Sequence, residues 1–182
     1  MRAFGLAGRS GSGKTTLLVQ LLPILLARGL SVSTIKHTHH DVDLDQPGKD
    51  SWQHREAGAQ EVIVAGSRRW ALLHDYRGQM SDNDEDEAAA RPEADLAALA
   101  ARLAPVDLLL VEGFHRQPIP RLEVHRPSCG HPPLWPQDPG ILALVTEAEA
   151  VTRLQITCAR PVFSFGDLEK IATFVQERAV GV

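Results

Sequence analysis

Residues 8–15 read GRSGSGKT and satisfy the pattern G-x-x-x-x-G-K-[ST] at Gly8, Gly13, Lys14 and Thr15. Ser10, Gly11, Ser12 and Gly13 are small enough for the backbone to curl with its N–H groups pointing inward. A helix that starts where the loop ends adds its positive N-terminus, and together these groups bind oxyanions. The ligand implied is the phosphate tail of a nucleoside triphosphate. Lys14 is expected at the β- and γ-phosphates and the Thr15 hydroxyl on Mg²⁺. The nucleotide-binding set expected is therefore Ser10, Gly11, Ser12, Gly13, Lys14, Thr15 and Thr16. A chance glycine-rich turn would not need to sit between an apolar strand and a leucine-rich helix, as this one does.

Such a site also needs an acid near the metal, usually at the end of a buried strand. Asp107 and Glu112 bracket a second apolar stretch. At about 3.3 Å per residue they stand roughly 16 Å apart, at opposite ends of that strand. Ligands in parallel sheets bind at the C-terminal edge, which selects Glu112 as metal-side and catalytic acid together with Lys14 and leaves Asp107 a structural role. The stretch KHTHHDVDLDQPGKDSWQHREAG at 36–58 collects His37, His39, His40, Asp41, Asp43, Asp45, Asp50 and His54. No cysteine or HExxH frame supports zinc there. The connection leaves the second strand on the nucleotide edge, so Asp50 is taken as a further metal-side acid, although a plain helix N-cap explains it nearly as well.

The elements that must hold these residues alternate. Ala3–Gly8 is expected as a strand, Thr16–Arg28 as a helix kinked at Pro23 and capped by Gly29, and Leu30–Lys36 as the second strand. A loop over His37–Lys49 leads to a helix near Asp50, where Asp50 and Gln53 have capping-box spacing. Glu61–Ala65 and Trp70–His74 are expected as consecutive strands, Ser81–Glu87 as a solvated acidic loop, and Pro92–Leu103 as a helix with Pro92 in its first turn. Val106–Val111 is expected as a central strand covered on both faces. Arg121–His125, Ile141–Thr146 and Pro161–Phe165 complete the strands, Leu168–Arg178 is the last helix, and the five prolines of Pro127–Pro139 make that stretch irregular. The fold class is α/β, a doubly wound and mainly parallel sheet flanked by helices.

Length and composition agree with this. The 182 residues suit one nucleotide-binding domain over 1–182, with a strand-and-loop excursion at about 114–140. A formal net charge of −4 argues against a nucleic-acid partner, and Cys129 and Cys158 are too few for a disulfide framework. No apolar run reaches the roughly 18 residues of a membrane span and no signal peptide opens the chain, so a cytoplasmic protein is expected.

Three stretches carry a resemblance to a known family: GRSGSGKTTL at 8–17, IKHTHHDVDLDQPGKDSWQHREAGA at 35–59 and DLLLVEGFHRQPIPRLEVHR at 107–126. Their order and spacing resemble the MobB family of molybdopterin-guanine dinucleotide biosynthesis adaptor proteins. The resemblance implies a GTP-binding, Mg²⁺-dependent homodimer with weak GTP hydrolysis that assists the molybdenum cofactor guanylyltransferase. It also supports Gly11–Thr16 at the phosphates, Glu112 at its strand end, and the His37–Asp50 loop beside them. Guanine preference rests on the resemblance alone, because none of Lys14, Lys36, Lys49 and Lys170 stands in an [NT]-K-x-D motif.

A rival reading is an ATP-dependent small-molecule kinase or ligase on the same scaffold, and a third is a binding module whose nucleotide is only structural. The sequence assigns no arginine or glutamine to the turnover role such residues have in fast GTPases, so slow hydrolysis is expected.

Overall fold

The computed structural model describes residues 1–38, 44–75, 95–114 and 116–182, the Ile156 side chain excepted. The expected acidic loop at Ser81–Glu87, the position of Pro92, and His39, His40, Asp41 and Asp43 lie outside these residues. In chain order the elements are β1 (Arg2–Ala7), α1 (Lys14–Ala27), β2 (Val32–Lys36), α2 (Asp50–Glu56), β3 (Glu61–Ala65), β4 (Trp70–His74), α3 (Leu96–Ala100) and β5 (Leu108–Glu112), followed by β6 (Arg121–Val124), β7 (Ile141–Thr146), α4 (Ala148–Thr157), β8 (Val162–Ser164), α5 (Leu168–Arg178) and β9 (Val180–Gly181). They fall into two compact units, one formed by residues 1–37 and 93–182 and the other by 38–92.

The first unit is built on a seven-stranded sheet in the order β2-β5-β1-β6-β7-β8, with the short β9 antiparallel to the start of β1. All other pairings are parallel. β5 has five buried residues in a row, as a strand with helices on both faces requires. Leu108 and Leu110 join Phe4, Leu6 and the α1 leucines Leu17, Leu21 and Leu25 on one face, with Ile171 and Val175 of α5. Leu109 and Val111 face the other way, with Ala3 and with Leu96 and Ala100 of α3. Leu154 and Cys158 bring α4 onto Leu144 and Val162. Leu144 lies between Ala143 and Val145, which face α1 and α5, so α4 shares the α3 side and the sheet is doubly wound as expected.

Strand bounds shift by one or two residues from the sequence expectation, and the helices differ more. α1 begins at Lys14 and not at Thr16, because Gly13 already serves as its N-cap and the loop runs straight into the helix. α3 is only five residues long, and it begins after Asp95, whose side chain accepts the Ala97 N–H. α4 had no expected counterpart. Pro23 does lie within α1, and the Gly29 N–H donates to the Leu26 carbonyl just past the helix end.

The proline-rich connection from β6 to β7 has one turn of 3-10 helix at Pro127–Cys129 and is tied to the sheet through Glu123. This carboxylate is 1% exposed and accepts the backbone N–H groups of Leu134 and Trp135, each at 2.8 Å. Hydrogen bonds to a buried charged group contribute about 1.5–3 kcal/mol each, though both amides can find water once the loop loosens. Glu123→Ala is therefore expected to lower unfolding free energy by about 2 kcal/mol in urea titration. A change under about 0.5 kcal/mol would show that the connection holds itself.

In the second unit β3 and β4 form an antiparallel hairpin, in register from Glu61 opposite His74 to Ala65 opposite Trp70. The turn closes with the Gly66 N–H donating to the Arg69 carbonyl. Glu61 and His74 pair across the strands at 2.7 Å, and Arg55 reaches Asp45 at 3.4 Å. Ile63 and Trp70 share one face of the hairpin and are each 65% exposed.

Candidate functional site

Parallel pairing fixes where the site forms. Leu6 of β1 is opposite Glu112 of β5 on one side and Leu122 of β6 on the other, so all three strands end at the same edge. The chain leaves β1 through residues 8–13 and enters α1 at Lys14. Gly8 has φ 142°, and a Cβ there would run into the Val124 carbonyl oxygen and stand 2.8 Å from Ser12 Oγ, so no other residue fits. The Ser12 N–H donates back to the Arg9 carbonyl at 3.2 Å, closing the curl.

Within this loop the Lys14 ammonium donates to the carbonyls of Gly8 at 2.8 Å and Arg9 at 3.0 Å, which spans the side chain across the turn. Thr15 Oγ1 donates to the Glu112 carboxylate, 3.1 and 3.2 Å from its two oxygens. Glu112 is 6% exposed, and Lys36 Nζ stands 3.9 Å from its Oε1. Burial pushes the Lys14 amine below its ordinary 10.5, opposed by the attraction of Glu112 and assisted by the repulsion of Lys36. Ser10, Gly11 and Thr16 are exposed around the loop, whereas Ser12 is 3% exposed and its hydroxyl has no hydrogen-bond partner among the described residues. A cavity of about 400 Å³ opens along Gly8, Arg9 and Ser10, walled on its far side by Leu134, Gln137 and Asp138.

The structure thus brings together Lys14, Thr15 and Glu112, which stand 97 positions apart across the Thr15–Glu112 bond. Asp107 is at the other end of β5, where its carboxylate accepts the Ser31 N–H at 2.8 Å and hydroxyl at 2.6 Å; those bonds hold its pKa down. Asp50 is an exposed residue of the second unit and opens α2. It is not that helix's N-cap: Lys49 occupies that position, and Gln53 donates to the Gly48 carbonyl at 3.2 Å and so makes no capping box. An acid in the first helical turn still complements the helix dipole.

Two residues were missed. Lys36, at the end of β2, pairs with Glu112 across the parallel ladder. Arg126, just beyond β6, donates from Nε to the Ser12 carbonyl at 2.9 Å. Both stand at or just past the ends of strands that the sequence does show, and asking which residues those strands deliver to the loop's edge would have found them.

The residues present fit a phosphate tail with a divalent cation. The loop supplies amide donors and an ammonium, Ser12 a buried hydroxyl without a partner, and Thr15 and Glu112 a hydroxyl–carboxylate pair suited to Mg²⁺. A parallel sheet whose first strand runs through this loop into a helix, with that pair at the edge, defines a P-loop α/β protein. Residues 3–147 match the model of the MobB family, described as molybdopterin guanine dinucleotide synthesis protein B, and the chain belongs to this family.

The chain is 46% identical over 129 residues to the molybdopterin-guanine dinucleotide biosynthesis adapter protein of Escherichia coli (strain K12), covering 70% of this chain and 67% of the relative. It is 37% identical over 172 residues to the protein of that name in Haemophilus influenzae, covering 94% and 86%. Among solved structures, a crystal structure of molybdopterin-guanine biosynthesis protein B is 25% identical with a TM-score of 0.64, covering 96% of this chain and 98% of its own. Bacillus subtilis MobB shares the fold with a TM-score of 0.69 at 23% identity, each chain covered completely.

Proposed function

We propose that this protein binds Mg²⁺-GTP through residues 10–16 and acts as a GTP-binding accessory protein in the synthesis of molybdopterin guanine dinucleotide, with slow GTP hydrolysis. The observation that carries this reading is the bond from Thr15 to the buried Glu112 beside Lys14. Lys14 would leave the loop carbonyls for the phosphates, and the loop amides would hold the tail's remaining oxygens. Mg²⁺, when bound, would neutralise phosphate charge. Thr15 and Glu112 would hold it, and Asp50 remains a proposed second acid. Glu112 would also orient the attacking water by accepting its hydrogen.

The choice of guanine is supported by the dinucleotide that appears in the family's name. A molybdenum cofactor guanylyltransferase is the proposed partner, on the same ground. A homodimer is proposed as well, supported by the exposed Ile63 and Trp70 on a hairpin that has two strands among the described residues, since an isolated two-stranded hairpin is marginally stable. No helix among the described residues is long and apolar enough to cross a membrane, and that supports the cytoplasm as its place.

Calorimetry with GTP, ATP and GDP, with and without Mg²⁺, tests the assignment, with molar mass by light scattering on the same preparation. At least about tenfold preference for GTP and a mass of two chains are expected. Equal affinity for ATP would remove the guanine reading, and fast turnover on adding a small acceptor would favour an ATP-dependent kinase. A mass of one chain would remove the dimer.

A further inference from the structure

Arg126 is more than a neighbour of the loop. Its Nε holds the Ser12 carbonyl at 2.9 Å, its guanidinium carbon lies 4.5 Å from the Phe165 ring centroid, and its Nη1 is 3.9 Å from Glu147 Oε1. Glu147 is itself fixed by the Ser128 hydroxyl at 2.7 Å. Three separate connecting segments therefore orient one planar cation. A lysine could not make the in-plane bond and the ring contact together.

The bond has a geometric consequence. A trans peptide is planar with its C=O and N–H on opposite sides. Drawing the Ser12 oxygen toward Arg126 aims the Gly13 N–H the other way, off the side of the loop that Arg126 occupies. We propose that Arg126 is a positioning residue of the phosphate cradle. It sets the Ser12–Gly13 peptide so that the Gly13 amide points at the bound tail, and it adds fixed positive charge behind that amide. The proposal rests on the nucleotide reading above and concerns the polyphosphate portion of the ligand, not the base.

The test uses the full chain as wild type, Arg126→Ala and Arg126→Lys, each titrated with Mg²⁺-GTP and with Mg²⁺ and inorganic tripolyphosphate. Arg126→Ala should bind both ligands about tenfold more weakly and by the same factor, because the loss is confined to the tail. Its melting temperature without ligand should stay within about 2 °C of wild type. Millimolar guanidinium should restore part of its affinity, and Arg126→Lys should fall between the two.

Affinity for both ligands within about twofold of wild type would overturn the role of Arg126 alone. So would a loss that tracks a lower melting temperature and is not rescued by guanidinium, since that describes a brace of the fold. A wild type that binds neither ligand would overturn the nucleotide reading, and this proposal with it.

Discussion

Lys14→Ala is expected to weaken Mg²⁺-GTP binding about a hundredfold in calorimetry, since charge-assisted hydrogen bonds to the tail contribute about 1.5–3 kcal/mol each and Lys14 has two phosphates within its expected reach. The same residue should contribute little to the stability of the empty fold. Burial lowers its pKa from 10.5, so the charged amine is less favourable in the folded chain than in the unfolded one. Between the lowered folded value and 10.5 the unfolded chain binds more protons, so stability rises with pH across that window. Below it the penalty is fully present.

Lys14→Met removes the charge and keeps most of the bulk. It should melt at or above the wild-type temperature near neutral pH, and the gap should close as pH approaches 10.5. GTP affinity should fall as pH rises through the lowered pKa and the amine discharges. A Lys14→Met protein that melts several degrees lower would mean that the bonds from Lys14 to the Gly8 and Arg9 carbonyls hold the loop together.

The phosphate loop could be read from residues 8–15 because its chemistry is local: small residues, a lysine and a threonine at fixed spacing need only a strand before them and a helix after. The direction of β5 was legible for a similar reason, since parallel order alone decides which of Asp107 and Glu112 reaches the edge. What escaped was set by tertiary packing. α4 carries its apolar residues Ala150, Val151 and Leu154 among Glu149, Thr152, Arg153 and Gln155, and only their meeting with Leu144 and Trp135 makes that stretch a buried face. The alternative reading of Asp50 as a cap failed because aspartate suits both the N-cap and the first helical turn, and the extended backbone of Lys49 decides between them. The position of Arg126 just past β6 was legible, but its contact was not, because its partner is a backbone carbonyl that no residue type in the sequence marks.

Glu112→Gln should divide binding from turnover. In the wild type this buried carboxylate lies between the Thr15 hydroxyl and the Lys36 ammonium, and its charge also raises the Lys14 pKa against the effect of burial. The glutamine keeps the shape and one acceptor for Thr15 but removes the negative charge. Two consequences oppose each other in the affinity for GTP. Less repulsion of the triphosphate favours binding, while the weaker metal set and a further drop in the Lys14 pKa disfavour it. GTP affinity with Mg²⁺ should therefore change by less than about fivefold, and the improvement that Mg²⁺ gives should shrink about tenfold. Hydrolysis has no such compensation, since an amide oxygen is a poor acceptor for the proton of an attacking water, and removal of a general base typically costs 10²–10⁴ in rate. Single-turnover hydrolysis should fall about a hundredfold, with the remaining activity shifted to lower pH as Lys14 discharges earlier. An unchanged rate would take Glu112 out of the chemistry and leave it as the partner that orients Thr15.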